Sequence, residues 1–389
     1  MSAKSGDRKE AAPRTRVRAD VLMIGSATRH VGKTEFACAV IRNHIARGPV
    51  AAIKVTTIRG EHACPHDNAD CGVCGSLTGD YTVSLETGDD GNKDTCRLRA
   101  AGASPVYWLR VRHEHLREGL ADVLGRIPPG LPVICESNSA RAFLEPGAFL
   151  VIRKKGMSGI KASCAEGLDL ADRIVEFDGG GWDFKPADVT FARGRWWIRQ
   201  EAAAIILAGG RSRRMGQDKS LLLFNGKPMI QHIGTQLEPL FREWLIGSND
   251  PRKFSFLNVP IVPDREPDMG PLMGILSCLA ATRYEDHFIT ACDVPELHLE
   301  FIRQMLASVR GYDAVVPLSP DGRPEPLFAV YTKAVIGPAE KVLRQGGRRI
   351  VDLLKLVKVL YLPLPDTGWY RNLNTMEEYV AARPSGETG

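Results

Sequence analysis

The sequence predicts an α/β protein of two domains, each with three layers in which helices cover both faces of a parallel sheet. Two observations indicate this fold class. Short apolar runs alternate with helix-like stretches in both halves of the chain, and a glycine-containing loop follows the first apolar run of each half. A chain of 389 residues also exceeds what one hydrophobic core usually organises, which favours two domains.

Composition and charge exclude several classes of protein. Hydrophobic residues make up 44% of the chain and charged residues 25%, and no apolar run approaches the length of a membrane span. The formal net charge of +5 is mild, and no stripe of basic and aromatic residues is present, so we expect no nucleic-acid or membrane partner. Residues 1–19 lack apolar periodicity and an apolar export segment, which predicts a disordered tail and a cytoplasmic protein.

Residues 20–180 are predicted to form the first domain, an α/β unit that begins with a P-loop-like segment. The apolar run 20–24 precedes Gly32-Lys33-Thr34, and helical spacing follows. In a P-loop the backbone and Lys33 contact phosphate, and Thr34 can hold Mg²⁺. The strict pattern has glycine where Ala27 stands, with Gly25 two residues earlier, so an ordinary turn is the alternative. Further elements are expected as strands at 51–55, 105–109 and 131–135 and as helices at 35–44 and 114–124.

An insertion between Lys54 and Asp94 contains a cluster of thiols and imidazoles. Nine cysteines in a chain without an export signal predict reduced thiols, and a Cys-x-x-Cys pair preceded by a third cysteine is typical of a zinc or iron–sulfur site. The candidate ligands are Cys64, Cys71 and Cys74, with Cys96, His62 or His66 completing the set. A flexible loop with incidental thiols is the alternative.

Residues 181–201 are predicted to be a linker, because a run of three glycines and an Arg/Trp-rich segment interrupt the alternation. We expect Trp196 and Trp197 to pack rather than to bind a ligand. The alternation then restarts in residues 202–389, which predicts a Rossmann-like second domain. Its strands are expected at 203–207, 244–246, 259–262, 287–291 and 313–316.

The loop after the first strand of the second domain carries the strongest chemical signal. Leu207-Ala208-Gly209-Gly210 ends this strand, and a cationic segment with Arg214 and Lys219 follows. Glycines let the backbone approach a nucleotide, and the two cations can neutralise charge that grows on a leaving phosphate. Asp293 follows the apolar run 288–292, which predicts a carboxylate at the sheet edge that can hold Mg²⁺. A glycine turn and a helix-capping Asp293 are the alternatives.

The segment 207–219 resembles the signature of molybdenum cofactor guanylyltransferases, and the resemblance covers about residues 202–382. Further matching pieces follow in that family's order: Asp264, Gly270-Pro271-Leu272 with Gly274, Ala291-Cys292-Asp293 with Pro295, Glu325-Pro326-Leu327, and Asn372 with Asn374-Thr375. The resemblance implies that a set of residues contacts nucleotide or metal, namely Leu207 to Gly210, Lys219, Asn249, Asp264 and Asp293.

The reaction implied by this resemblance is transfer of GMP from GTP to the phosphate of molybdopterin, with Mg²⁺ as cofactor and pyrophosphate as leaving group. The attacking phosphate is already anionic, so positioning and charge neutralisation by Arg214, Lys219 and Mg²⁺ at Asp293 carry the reaction. The Ala-Gly-Gly form of the loop implies guanine, since cytidylyl relatives tend toward Ala-Ala-Gly. A cytidylyltransferase, another nucleotidyltransferase and a non-enzymatic adaptor are the alternatives.

Residues 21–178 resemble the P-loop adaptor protein that accompanies this guanylyltransferase in molybdenum cofactor synthesis. The matching pieces are Gly32-Lys33-Thr34, Lys93-Asp94-Thr95-Cys96-Arg97 with Ala101-Gly102-Ala103, and Glu136 at the end of an apolar run. The resemblance implies a GTP-binding domain fused to the transferase, and fusion makes the encounter of the two partners intramolecular. Molybdoenzymes or their chaperones are the further partners that we expect.

Overall fold

The structure is a computed structural model that describes residues 16–28, 31–59, 77, 79–88, 91–157, 162–165, 167–209, 218–365, 368–373 and 375–382. It divides the chain into two compact units, Met1–Ile198 and Arg199–Gly389. Within the described residues each unit has a seven-stranded sheet rich in parallel pairs. The predicted α/β class with two sheets is therefore confirmed.

The sheet of the first unit has the strand order β3-β4-β2-β5-β1-β6-β7. Its strands are β1 Arg16–Ser26, β2 Ala51–Ile58, β3 Tyr81–Leu85, β4 Val106–Arg112, β5 Val133–Glu136, β6 Leu144–Lys154 and β7 Arg173–Phe177. Its helices are α1 Lys33–Ile45, α2 Asp94–Ala100, α3 Leu116–Gly125 and α4 Ala162–Ala165. All pairs are parallel except β3 with β4, so the sheet has an antiparallel edge that the sequence pattern did not predict.

Alternation along β1 distributes its side chains between two cores. Leu22 packs in one cluster with Phe36 of α1, whereas Val21 packs in the other with Leu120 of α3. Helices therefore cover both faces of this sheet. The carboxyl ends of β1, β2 and β5 are left at one edge, where the predicted phosphate loop begins.

The segment 181–201 is not a linker throughout, which corrects the prediction. Within the first unit it includes an antiparallel hairpin of β8 Val189–Ala192 and β9 Arg195–Ile198. Trp196 is fully buried, and its indole N–H donates to the Asp20 carbonyl oxygen (3.0 Å). Trp197 is buried too, so both tryptophans are packing residues, as predicted. The sequence pattern did not predict the hairpin, because its two strands are short and are stabilised by packing against the rest of the first unit.

The sheet of the second unit has the order β14-β13-β10-β15-β17-β16-β18. Its strands are β10 Gln200–Leu207, β13 Phe241–Gly247, β14 Ile261–Val262, β15 Asp286–Ala291, β16 Ala314–Leu318, β17 Phe328–Thr332 and β18 Val359–Pro363, with β11 Leu223–Phe224 and β12 Lys227–Pro228 as a separate ribbon. Its helices are α5 Met229–Leu237, α6 Pro271–Ala281, α7 Leu299–Ser308, α8 Ile336–Arg344, α9 Ile350–Leu354 and α10 Met376–Ala382. No helix in the described part of the chain is long and apolar enough to cross a membrane.

The direction of the strands decides which loops meet at one edge of the second sheet. β14, β13, β10 and β15 are mutually parallel, so their carboxyl ends lie side by side. β17 is antiparallel to both β15 and β16. The connection 319–327 between β16 and β17 therefore returns to that same edge without a crossover helix.

Candidate active site

Four residues predicted to contact nucleotide or metal follow neighbouring strands at this edge. Leu207 ends β10, Asn249 follows β13, Asp264 follows β14 and Asp293 follows β15. The Cys292 N–H donates to the Leu207 carbonyl oxygen (3.3 Å), which ties the end of β15 to the end of β10. The structure therefore brings these predicted site residues together.

Asn249 and Asp264 hold each other through two hydrogen bonds. The Asn249 amide donates to Asp264 Oδ2 (2.9 Å), and the Asp264 backbone N–H donates to Asn249 Oδ1 (2.7 Å). The Asp264 Oδ1 atom lies 3.3 Å from the position that a Cβ on Gly274 would take. A side chain at position 274 would therefore press on the Asp264 carboxylate.

The absence of a side chain at Gly247 leaves room for the Leu207 side chain. A Cβ on Gly247 would lie 2.8 Å from Leu207 Cδ2, closer than side chains tolerate. Ala208 after the strand is buried and Gly209 is exposed, so the chain leaves the core at the glycine. Gly210 and Arg214, the remaining predicted members of this loop, lie outside the described residues.

Lys219 begins a short 3-10 helix, Lys219–Leu221, and Asp218 caps it. Asp218 Oδ1 accepts hydrogen bonds from the Ser220 N–H (3.1 Å) and the Ser220 hydroxyl (2.6 Å). The Lys253 ammonium pairs with the other carboxylate oxygen of Asp218. The sequence analysis did not single out Asp218 or Lys253, although an aspartate before a short helix is a recognisable capping signal.

The Asp293 carboxylate is half-buried at the end of β15. Burial raises its pKa above the ordinary value, and the positive charge of Lys219 acts in the opposite direction. Its backbone carbonyl accepts a hydrogen bond from the Leu373 N–H (2.8 Å), which fixes the turn. A partly desolvated carboxylate is a hard oxygen donor that gains from a divalent cation, so Asp293 fits the predicted Mg²⁺ ligand.

A cavity of about 260 Å³ lies beside Asp293, on the side of β17 and β16. Apolar residues such as Leu327 and Ile350 line it together with Asp293, Glu325 and Tyr370. The Tyr370 hydroxyl donates to Glu325 Oε2 (3.0 Å). Burial raises the pKa of Glu325, and the nearby Asp293 charge adds to that increase. The edge of the sheet thus carries a mostly apolar cavity with acidic side chains on its wall, next to the predicted nucleotide residues.

In the first unit, the predicted phosphate loop leads into α1. Gly32 has a left-handed backbone (φ 69°) directly before Lys33, the first residue of the helix. The Thr34 hydroxyl donates to Glu136 Oε2 (3.2 Å), and the Lys33 ammonium lies 3.8 Å from the same oxygen. Because β5 pairs in parallel with β1, the Glu136 carboxylate at its end is brought to the loop.

Lys54, which the sequence analysis did not select, completes this group. Its ammonium lies 2.8 Å from Glu136 Oε2 and 2.5 Å from Asp94 Oδ2. Burial opposes the charge of Lys54, but the two carboxylates outweigh it and raise the pKa. Glu136 is fully buried, and its Oε1 atom has no hydrogen-bond partner among the described residues.

The predicted thiolate site cannot be placed, because Cys64, Cys71, Cys74, His62 and His66 lie outside the described residues. Cys96 is described and is buried in the first turn of α2. In the part of the chain that the structure describes, no group of three or more His, Cys, Asp or Glu side chains could hold a metal ion. The zinc or iron–sulfur site stays a prediction.

Comparison with known proteins gives matches in the second unit. The sequence model of the MobA-like NTP transferase domain matches residues 204–359. A probable molybdenum cofactor guanylyltransferase from Carboxydothermus hydrogenoformans is 37% identical over 187 residues, which are 46% of this chain and 94% of the relative. One from Natranaerobius thermophilus is 39% identical over 199 residues, 48% of this chain and 97% of the relative. The structure of molybdopterin-guanine dinucleotide biosynthesis protein A from Archaeoglobus fulgidus is 24% identical with a TM-score of 0.42, covering 46% of this chain and 96% of that one.

Proposed function

Because this chain belongs to the MobA-like NTP transferase family and is a nucleotidyltransferase, we propose that its second unit transfers GMP from GTP to the phosphate of molybdopterin. The observation that carries this proposal is the meeting of Leu207, Asp264 and Asp293 at one sheet edge, with Lys219 close enough to Asp293 to affect its pKa. Open α/β sheets bind ligands at this edge. The relatives are named for the proposed activity, and this chain aligns with almost their whole length.

The residues on the β13 and β14 side bind the nucleotide in this proposal. The backbone of Ala208 and Gly209 after Leu207 would approach the nucleotide, and the hydrogen-bonded pair of Asn249 and Asp264 follows the neighbouring strands β13 and β14. Asp293 would hold Mg²⁺, which supplies neutralising charge to the phosphates when it is bound. The backbone hydrogen bond from Leu373 keeps the Asp293 turn in place before substrate binds.

Lys219 acts on the leaving group. An oxygen of the acceptor phosphate forms a bond to the α-phosphorus of GTP, and the bond from that phosphorus to the bridging oxygen of pyrophosphate breaks. The ammonium of Lys219 neutralises the negative charge that develops on the departing oxygen. No proton has to be removed from the acceptor, since its phosphate is already anionic, and the site accordingly needs no general base.

The nucleotide preference is tested by assaying the full chain with molybdopterin, Mg²⁺ and each of the four nucleoside triphosphates. We expect a GMP adduct of molybdopterin and one pyrophosphate per adduct, with the highest kcat/KM for GTP. Pyrophosphate release without acceptor serves as the blank. Equal or faster transfer from CTP would contradict the guanine preference, and the absence of any adduct would contradict the activity.

For the first unit we propose a GTP-binding adaptor role, in which the N-terminus of α1 holds phosphate and the bound nucleotide carries Mg²⁺. Backbone N–H groups at a helix N-terminus are suited to an anion, and Lys33 adds a positive charge. The Thr34 hydroxyl and the unpartnered Oε1 of buried Glu136 offer hard oxygen donors to the cation. Delivery of the product to molybdoenzymes or their chaperones is part of this proposal.

Replacement of Lys33 by alanine is expected to remove one of two GTP sites per chain. Loss of a charge-assisted hydrogen bond weakens binding by about tenfold to a hundredfold. Titration calorimetry of the full chain with GTP should show two sites before the change and one after it, while kcat/KM for transfer stays within about twofold, since the other site is intact. Arg42→Ala is the matched control, because Arg42 lies on the same helix and pairs with exposed Glu35. Two tight sites in the Lys33 variant would contradict the proposal.

A further inference from the structure

The cavity beside Asp293 has no role in the chemistry proposed so far for the second unit. It has a volume of about 260 Å³, and its walls are mostly apolar. Apolar walls with a few fixed polar groups are typical of pockets that bind small molecules. Glu325 supplies an acidic group on the wall of this cavity, away from the nucleotide-side pair of Asn249 and Asp264.

The Glu325 residue is held in place on three sides. Its backbone N–H donates to the Pro317 carbonyl oxygen (2.9 Å), and its own carbonyl oxygen accepts from the Phe328 N–H (3.1 Å). The Tyr370 hydroxyl donates to Oε2 of the side chain (3.0 Å). A carboxylate fixed in this way loses little freedom when a ligand binds, so it can distinguish ligands by their hydrogen-bond pattern.

The surroundings of Tyr370 keep its hydroxyl group a hydrogen-bond donor. Burial raises the pKa of its phenol, which keeps the hydroxyl protonated. Its ring packs edge-on against Phe328, with centroids 5.3 Å apart. Glu325 is partly buried, and this loss of solvation raises the pKa of its carboxylate. Two N–H donors from a ligand would replace part of that lost solvation.

The strand order indicates which substrate enters this cavity. The nucleotide-side residues follow β10, β13 and β14, Asp293 follows β15, and Glu325 lies in the connection between β16 and β17. Asp293 therefore stands between the nucleotide side and the cavity. In-line displacement places the acceptor and the leaving pyrophosphate on opposite sides of the α-phosphorus, so the cavity is on the acceptor's side.

We propose that Glu325 binds the 2-amino-4-oxopyrimidine edge of the acceptor's pterin, and that Tyr370 is the positioning residue for this carboxylate. The proposal rests on the proposed transferase function. A ring N–H and the adjacent amino N–H present two parallel donors, which match the two oxygens of a carboxylate. The guanine of GTP has the same edge, and the strand order favours the pterin as its source.

The test is steady-state kinetics of Glu325→Gln in the full chain, with GTP and molybdopterin varied separately. The variant places an NH₂ donor against the donors of the ring, so we expect the acceptor KM to rise about tenfold to a hundredfold. The KM for GTP and the Mg²⁺ requirement should stay within about twofold of the parent, since Asn249, Asp264 and Asp293 are unchanged in this variant. Glu340→Gln is the control, because Glu340 is a partly exposed glutamate of α8 that pairs with Arg265 and does not line this cavity.

Three results would overturn the proposal: a rise in the KM for GTP alone, a weakened Mg²⁺ requirement, or no change in any constant. The first assigns Glu325 to guanine and the second assigns it to the metal. Failure of the parent protein to form any adduct is a separate result, because it removes the transferase function itself before a variant is compared.

Tyr370→Phe provides a second variant that keeps the aromatic packing. The Tyr370 hydrogen bond lowers the pKa of Glu325, so its loss should raise that pKa. Acceptor binding needs the ionised carboxylate, and the acid limb of 1/KM for the acceptor should therefore move to higher pH. A residue with a merely structural role would lower activity without moving this limb, and an unmoved limb would contradict the positioning role.

Discussion

Asp293→Asn is expected to lower kcat/KM for GMP transfer by roughly a hundredfold to a thousandfold. The substitution keeps the shape of the side chain and the backbone hydrogen bond from Leu373, but it removes the negative charge that would hold Mg²⁺. Because the pKa of Asp293 is already raised by burial, the folded protein has little to lose when this charge disappears. We expect the thermal midpoint of unfolding to stay equal to or above that of the parent.

The measurement combines initial rates of pyrophosphate release with titration of Mn²⁺ as a spectroscopic substitute for Mg²⁺. Asp352→Asn is the matched control, since Asp352 is an aspartate of α9 that pairs with Lys355. We expect this control to keep the activity and the Mn²⁺ affinity of the parent. Near-parental turnover in a folded Asp293 variant would show that another residue holds the cation.

Lys219→Ala is expected to lower kcat by about a hundredfold, with a smaller change in the KM for GTP. The reason is that negative charge on the leaving oxygen develops in the transition state and is small in bound GTP, so the ammonium stabilises the transition state more than the bound substrate. Single-turnover rates with saturating GTP measure this effect without a contribution from product release. Lys355→Ala, which removes an exposed ammonium, is the control.

The same variant has a second consequence for Asp293. The Lys219 charge lowers the pKa of that carboxylate, and its removal should raise the pKa further. Metal binding requires the ionised carboxylate and is lost as the pH falls through its pKa. The midpoint of Mn²⁺ binding against pH should therefore lie higher in the variant than in the parent. An unchanged midpoint together with parental kcat would place Lys219 outside the site.

Much of the second unit could be predicted, because its parallel strands are buried on both faces and appear as continuous apolar runs. The strand that ends at Leu207 and the strand that precedes Asp293 were both predicted. The carboxyl ends of such parallel strands meet at one edge of the sheet. The sequence analysis predicted no strand at 328–332, so it missed β17, which runs antiparallel to β15. It therefore gave no reason to place Glu325 beside Asp293.

The remaining site residues depend on contacts between distant parts of the chain. Tyr370 and its partner Glu325 are 45 residues apart, and Lys54 reaches Glu136 across 82 residues. Such pairs form only once the sheet has assembled. No local sequence motif identifies which distant residue each member contacts. The hairpin around Trp196 escaped prediction for the same reason, because its burial depends on residues near the start of β1.

Because β17 runs antiparallel to β15, the residues proposed to bind the acceptor and those proposed to bind the nucleotide lie in different parts of the polypeptide chain. A parallel strand at this place would need a long crossover to return, but the reversed strand is reached through the connection 319–327 alone. In the proposed assignment, this connection selects the acceptor, whereas the nucleotide is selected by loops that come much earlier in the chain. We therefore expect changes in this connection to alter acceptor choice while the nucleotide loops keep their sequence.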